Sequence, residues 1–275
     1  NRLKQNLDEI AIISICIFGG GQLASRLAIS AKNWNVKTVI YCDDPHAPAK
    51  NFCNEFISGN YSDKEKIIKF INFADYVTYE FENIPFETLS EINKLKPVLP
   101  KPSVNRLLQH RLAEKDFINK LNIRTTRYAS VENESEIEAL EDLLPGILKT
   151  TTLGYDGKGQ YPINSIDEFR SLNIDFSKGY ILEKLVKLKK EISIIITRFS
   201  DQKYEIYEPI ENKHEEQILK FSKIPADIDK KIYDQSKDWA MSIAEELKYV
   251  GTLCVEFFID RNDNLYVNEI APRVH

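Results

Sequence analysis

No segment of this 275-residue chain is apolar for long enough to cross a bilayer; the longest clean run, Ala11 to Phe18, has the length of a buried strand. The polar start from Asn1 to Glu9 is not a signal peptide, so a cytoplasmic protein with no membrane partner is expected. Positive charge is gathered nowhere. The 37 Lys and Arg residues are interspersed with 42 Asp and Glu, a net charge of −5, which leaves no basic stripe for a nucleic acid and excludes one as main partner. Cysteine is scarce: the four, at positions 16, 42, 53 and 254, show neither metal-ligand spacing nor a disulfide framework. Cys16 and Cys254 fall in apolar strand-like runs, so reduced structural thiols are expected. Internal repeats and low-complexity tracts are absent, and so are an initiating Met and a helix closing the chain after His275, from which a fragment at both ends is expected.

What is there, with 43% apolar residues, is enough for two domains and a sizeable core. Ile10 to Phe18 reads as a buried parallel strand, Gly19 to Gly21 as a tight turn, Gln22 to Trp34 as a helix and Val36 to Tyr41 as a second strand, together a βαβ unit. Its turn, "GGGQLA", fits the dinucleotide pattern G-x-G-x-x-A, and Asp43 stands at about the spacing of the ribose-binding acid, so an NAD-dependent oxidoreductase is one alternative. A helix is expected over Asp63 to Phe73 and a strand over Tyr76 to Tyr79. Beyond that strand Glu80 and Glu82 are placed either where such sheets bind ligands or in a solvated loop. Pro97, Pro100 and Pro102 mark a stiff linker and a boundary, so residues 1–102 form a Rossmann-like domain.

The pattern then changes. Ser103 can cap a helix running to about Leu121, a second helix is expected over 133–144, and a short one near 167–172. Strands are expected at 146–150, 160–163, 180–186, 191–199 and 204–210, an α+β arrangement with antiparallel pairing. Ile232, Ser236, Trp239, Ile243 and Leu247 share one face of a further helix, and residues 251–275 close the chain as a hairpin.

Two features of this second region carry chemistry. "TTLGYDGKGQYP", residues 151 to 162, sets Gly154, Gly157 and Gly159 around Asp156 and Lys158, between two strands. It is not a P-loop, because Lys158 is followed by Gly159 and Pro162 rather than by Ser or Thr and a helix; a plain Asp-Gly hairpin and a flap closing over phosphates both remain open. In the last hairpin, a loop of Arg261 to Asn264 pairs Asp260 with Leu265 and sets Glu256 directly opposite Glu269. Like charges facing each other on a strand pair repel, and the face shared with Cys254 and Phe258 adds desolvation, so two ionised acids there call for a hard divalent cation such as phosphate-bound Mg²⁺. A register shifted by one residue would instead expose one of the two. Lys149, ending its strand beside the glycine loop, is either a surface lysine or a phosphate ligand. Glu183, Glu191 and His214 are either solvated groups beside strands or parts of a nucleotide site.

The order "GGGQLA", "VTYEFENIP", "RLAEK", "ILKTTTLGYDGKGQ", "KKEISIIITR", "YEPIENKH", "YVGTLCVEFF" and "VNEIAPRVH" resembles 5-(carboxyamino)imidazole ribonucleotide synthase, the ATP-grasp ligase of purine biosynthesis, over nearly the whole chain. The resemblance implies an ATP-grasp fold over 103–275, with a glycine-loop subdomain at about 125–187 and a metal-binding one from about 188, preceded by the parallel-sheet domain. It implies that Arg111, Lys149 and the loop Gly154, Tyr155, Asp156, Gly157, Lys158, Gly159 and Gln160 bind ATP. Glu183 with the hinge Lys184, Leu185 and Val186 would join them, as would Glu191, His214 and Asn268. Glu256 and Glu269 would hold magnesium. Tyr155, Asp156, Lys158, Arg273 and His275 would face the aminoimidazole ribonucleotide and the bicarbonate-derived group, with Asp156, Lys158, Arg273 and His275 as the catalytic set.

The implied reaction phosphorylates bicarbonate with ATP and passes the carboxyl group to the amine of aminoimidazole ribonucleotide, by positioning and charge neutralisation rather than by a protein nucleophile. A homodimer is a further expectation. The chain departs from the family's common pattern in having Ala24 and Ser25 where Gly and Arg usually follow Gln-Leu, and in ending at "APRVH" where members continue. The alternatives within the superfamily are another ATP-grasp ligase, such as formate-dependent glycinamide ribonucleotide transformylase, and a non-catalytic nucleotide-binding fragment.

Overall fold

The structure, a computed structural model, describes residues 13–152, 159–215 and 218–275. The chain divides into two compact units, the first ending at Ser103 and the second starting at Val104. Among the described residues no helix is long and apolar enough to cross a membrane.

The first unit is a four-stranded parallel sheet of order β3-β2-β1-β4, with β1 Ser14–Phe18, β2 Lys37–Cys42, β3 Glu55–Ser58 and β4 Tyr76–Tyr79. Helices α1 (Gln22–Asn33), α2 (Lys64–Ile71) and α3 (Phe86–Asn93) complete it. Such strands are covered on both faces, which is why β1 and β2 read as near-continuous apolar runs. Phe18, Tyr41 and Phe70 pack on one side, Ile17, Ile40 and Ala28 on the other. The glycine turn is explained by a neighbour. A Cβ on Gly19, whose φ is +97°, would stand 2.5 Å from Glu80 Cγ, and Gly21 N donates to Glu80 Oε1 at 2.9 Å. Glu80 is therefore buried and used, not solvated. Its carboxylate already accepts a hydrogen bond from the turn that opens α1, where a dinucleotide would bring its pyrophosphate, which removes the support for the oxidoreductase alternative. The proline segment is not a free linker: Val77 N donates to Pro97 O and Leu99 N to Val77 O, both at 2.9 Å, so Val98 extends the edge of this sheet beside β4.

In the second unit the helix expected over 103–121 is two. α4 is Pro102–Leu108, starting one residue ahead of Ser103, and α5 is Arg111–Lys120. His110 takes an extended conformation, its Nδ1 accepting from Ala113 N at 3.4 Å, and Arg111 N donates outward to Thr151 O at 2.9 Å. A four-stranded antiparallel sheet of order β5-β8-β6-β7 follows, from β5 Tyr128–Val131, β6 Gly146–Thr150, β7 Gln160–Ile163 and β8 Tyr180–Lys184, with the short helix α6 Ile166–Arg170. The helix expected over 133–144 is 3₁₀ over Glu134–Leu143. Glu134, Glu138, Glu141 and Asp142 stand at like-charge spacings that weaken an α-helix.

The second sheet has order β12-β11-β9-β13-β14, with β10 on β9. Its strands are β9 Leu188–Arg198, β10 Tyr204–Ile206, β11 Ile210–Glu215, β12 Ile218–Lys223, β13 Gly251–Asp260 and β14 Leu265–Ala271. The strand expected over 204–210 is split: Pro209 offers no N–H, and β10 and β11 pair with separate stretches of β9. One face of the sheet, with Ile192, Ile194, Ile196, Val255 and Phe257, packs on α7 (Lys230–Glu246) through Ile232, Ala240 and Ile243. The other face carries Glu191, Ser193 and Glu256.

The closing hairpin reaches the expected pairing by another route. Ile259, not Asp260, pairs with Leu265, a phase difference of one residue, and a bulge at Asn268 restores the phase so that Glu256 does face Glu269. Asp260 is drawn into the turn, where its carboxylate accepts from Asn262 N at 2.8 Å, from Asn264 N at 2.9 Å, and from the Tyr266 hydroxyl at 3.2 Å. Burial alone would raise this carboxyl, but the hydrogen bonds from Asn264 and Asn262 outweigh it and hold it below the usual range.

Asp260→Ala should cost about 1–3 kcal/mol of stability by leaving these donors unpaired, read from the urea midpoint. Because the folded value is depressed, the ionised contribution is present above the ordinary carboxylate range and is lost as pH falls through the folded value. The gap between wild type and variant should therefore narrow in acid.

Candidate active site

α5 carries charged residues on its buried side. Glu114, Lys115 and Ile118 all turn inward, at 4%, 1% and 0% exposure. Lys115 Nζ lies 3.3 Å from Glu183 Oε2 on β8 and donates to Thr125 Oγ1 at 3.0 Å, Thr126 Oγ1 at 3.3 Å and the Asn268 carbonyl at 3.4 Å. Lys149, on β6, reaches the same Glu183 oxygen at 3.2 Å, and so does the Thr126 hydroxyl, also at 3.2 Å. Lys149 and Glu183 are thus buried, not surface groups beside strands. Burial would raise the Glu183 carboxyl, yet Lys115 and Lys149 outweigh it and hold it at about 2. Burial pulls the Lys149 ammonium below its ordinary range, and Glu183 opposes this only in part.

Arg111 joins this cluster to the hairpin. Its Nε donates to Thr150 O at 3.1 Å and its Nη1 stands 3.9 Å from Glu269 Oε2. On the polar face of the second sheet, Glu256 faces Glu269 across the strand pair, and His275 Nε2 lies 3.3 Å from Glu256 Oε1. Burial and then the charges of Glu269 and Glu191 push the Glu256 carboxyl up to about 8, against the opposing charge of Arg273. Glu114, wholly enclosed, accepts from Ile270 N at 2.7 Å and is likewise pushed up to about 8 by burial and by Glu269. Among the described residues no group of three or more His, Cys, Asp and Glu is arranged to hold a metal alone. Two carboxylates with phosphate and water completing the shell are the donor set magnesium favours, so the residues fit that ion.

The remaining expected residues fall as follows. Gly154, Tyr155, Asp156, Gly157 and Lys158 lie outside the described residues. Gly159 has φ +70°, and a Cβ there would meet Thr150 Oγ1 at 2.8 Å, while Gln160 pairs with Lys149. Lys184 turns away from the cluster, its Nζ donating to Asp142 O at 2.6 Å, and Leu185 and Val186 follow it out of β8, Leu185 exposed. Glu191 and His214 meet, Nδ1 to Oε2 at 2.6 Å. Asn268 is the bulge residue, and Arg273 Nη1 is 3.5 Å from His275 Nδ1. Sequence reasoning missed Glu114, Lys115, Thr125 and Thr126. The first two were detectable, since both acid and ammonium occupy the phase of α5 that Ile118 marks as inward.

A buried lysine at the foot of a glycine-loop hairpin, set against a second sheet bearing paired acids, defines the ATP-grasp class of ligases. The ATP-grasp domain profile matches residues 116–275 and that of the ribonucleotide synthetase preATP-grasp domain matches residues 12–109. The N5-carboxyaminoimidazole ribonucleotide synthase of Brucella melitensis biotype 1 is 35% identical over 267 residues, 95% of this chain and 74% of that protein. A solved ADP complex of an N5-carboxyaminoimidazole ribonucleotide synthetase is 35% identical, with a TM-score of 0.90 over 96% of this chain and 71% of that one. The Staphylococcus aureus synthetase solved with ADP is 34% identical, with the same TM-score and coverage. The chain belongs to the N5-carboxyaminoimidazole ribonucleotide synthase family.

Glu183→Gln should destabilise the nucleotide-free protein by roughly 3–5 kcal/mol, since it strands two buried ammonium groups. The folded Glu183 value lies well below the ordinary 4.5, so its contribution is fully present above that pH and is lost as pH falls from about 4.5 toward about 2. Thermal midpoints measured from pH 7 downward should show the difference between wild type and variant shrinking over that window.

Proposed function

We propose that this chain catalyses the ATP- and bicarbonate-dependent carboxylation of 5-aminoimidazole ribonucleotide to its 5-carboxyamino derivative. The observation that carries this reading is the pairing of Glu256 with Glu269 beside Arg111, which joins the acid pair to the buried lysine cluster. A bicarbonate oxygen attacks the γ-phosphorus of ATP, the bond to the bridging oxygen breaks and ADP leaves. The amine of the ribonucleotide then attacks the carboxyl carbon, phosphate departs and the amine loses a proton. Magnesium, when bound, would neutralise phosphate charge as it moves to the leaving group.

Within this scheme Lys149 would hold phosphate oxygens, and Glu183 with Lys184 to Val186 would take the adenine end. Glu191 and His214, already in contact, would orient the ribose side. Glu256 and Glu269 would hold the metal, the elevated proton affinity of Glu256 in the free protein giving way when a cation replaces its proton. Arg273 and His275 would face the transferred carboxyl group. The glycine loop, with Asp156 and Lys158, would close over it and exclude water, in which carboxyphosphate hydrolyses. ADP release with bicarbonate, measured with and without the ribonucleotide, tests the assignment. Release that is indifferent to both would sink it, and release that needs a different amine or formate would move the chain to another ATP-grasp ligase.

Glu256→Gln and Glu269→Gln should each lower magnesium-dependent ATP turnover by about a hundredfold or more, the scale of losing one preorganised charge contact in a closed site. The thermal midpoint without metal, read above about pH 8 where Glu256 is ionised, should stay level or rise in both, because each then removes one of two like charges facing each other. Full activity in either variant would refute the metal role of the pair.

A further inference from the structure

We propose that Lys115 is a positioning residue for the nucleotide: by sharing the one Glu183 carboxylate with Lys149, it leaves positive charge at Lys149 unmatched and available to phosphate. The inference rests on the ATP-binding role proposed above for Lys149. Lys115 cannot serve a ligand directly. It is 1% exposed, and its three N–H donors already face four acceptors, on Thr125, Thr126, Glu183 and Asn268. It therefore acts through what it holds.

What it holds is shared. Glu183 Oε2 alone takes Lys115 at 3.3 Å, Lys149 at 3.2 Å and the Thr126 hydroxyl at 3.2 Å. Two ammonium groups against one carboxylate leave one positive charge unmatched in a nearly closed space, an arrangement that favours an incoming anion. Of the two lysines only Lys149 retains some access, with a tenth of its side chain exposed against 2% for Lys115. The unmatched charge thus shows itself at Lys149, at the end of β6 that leads into the glycine loop. Arg111 does not supply this charge alone, since Glu269 stands against it. Lys115 also fixes the second sheet: it grips the Asn268 carbonyl, and Thr125 donates to Val267 O at 2.9 Å, so the bulge before Glu269 is tied to the same ammonium.

Charge counting gives the test. Lys115→Met leaves Lys149 and Glu183 as a neutral pair, and Mg-ATP affinity by calorimetry should fall at least about tenfold, the scale of one charged hydrogen bond. The nucleotide-free thermal midpoint should hold or rise, because the remaining pair is matched. Lys115→Met with Glu183→Gln restores the single positive charge at Lys149 and should bind Mg-ATP more tightly than Lys115→Met alone. A mere structural prop predicts the reverse on each count: a lower midpoint in the single variant and no recovery in the double. The double variant also keeps the test open if the single one folds poorly. Wild type that binds no ATP would remove the nucleotide role of Lys149 itself, whereas wild-type binding with unchanged affinity in Lys115→Met would overturn only the role of Lys115.

Discussion

One carboxylate oxygen holds the second unit's chemistry in place. Glu183 Oε2 receives two lysines and a threonine hydroxyl, and these come from α5, β6 and the segment entering β5, while Glu183 itself is on β8. Buried ion pairs contribute little net stability, because removing the charges from water costs about what their attraction returns. Their effect is on geometry. An ammonium enclosed among Thr125, Thr126, Glu183 and the Asn268 carbonyl has one satisfactory place to be, and each segment that supplies an acceptor is fixed relative to the others. The apolar packing of α7 against β9 and β13 makes the unit fold; the ionic cluster decides how the glycine-loop sheet meets the acid-bearing one.

The acid-bearing sheet divides its two faces by function. Ile192, Ile194, Val255 and Phe257 supply burial on one side, while Glu191, Ser193 and Glu256 stand on the other. Glu256 and Glu269 face each other, and burial together with the charge of Glu269 pushes both Glu256 and Glu114 up to about 8. The free protein thus opposes a second negative charge at this pair, as the proposed metal role requires. That is how binding sites for charged ligands differ from cores: their residues are arranged for the complex and are worse off alone.

Much of this was legible in the sequence, and the failures have physical causes. The βαβ start, the buried strands and the face of α7 follow from apolar periodicity. β3 did not, because Glu55–Ser58 carries too little alternation and only an edge position to mark it. The helix break at His110 was hidden because the residues on either side are good helix formers; what breaks it is Arg111 N turning to Thr151, a contact forty residues away. Lys149 and Glu183 were ambiguous as isolated charges beside strands, since burial depends on partners the local sequence does not name. The motif resemblance picked them out without supplying the reason. Lys115 shows the converse: its position on α5 was predictable, but its partners belong to three other segments.

The Asn268 bulge works as a second frameshift that cancels the first. Taking Asp260 into the turn throws the strands out of step by one residue, and the extra residue at 268 brings them back before the acids are reached. Turn and acid pair are therefore insulated from each other: the turn can take the conformation that Asp260 dictates, and the pairing of Glu256 with Glu269 depends only on the correction upstream of it. The position most consequential for the acid pair is accordingly neither acid. Without the bulge, Asn268 would stand opposite Glu256 and Glu269 opposite Val255, on the side of the sheet where Phe257 and Val267 pack.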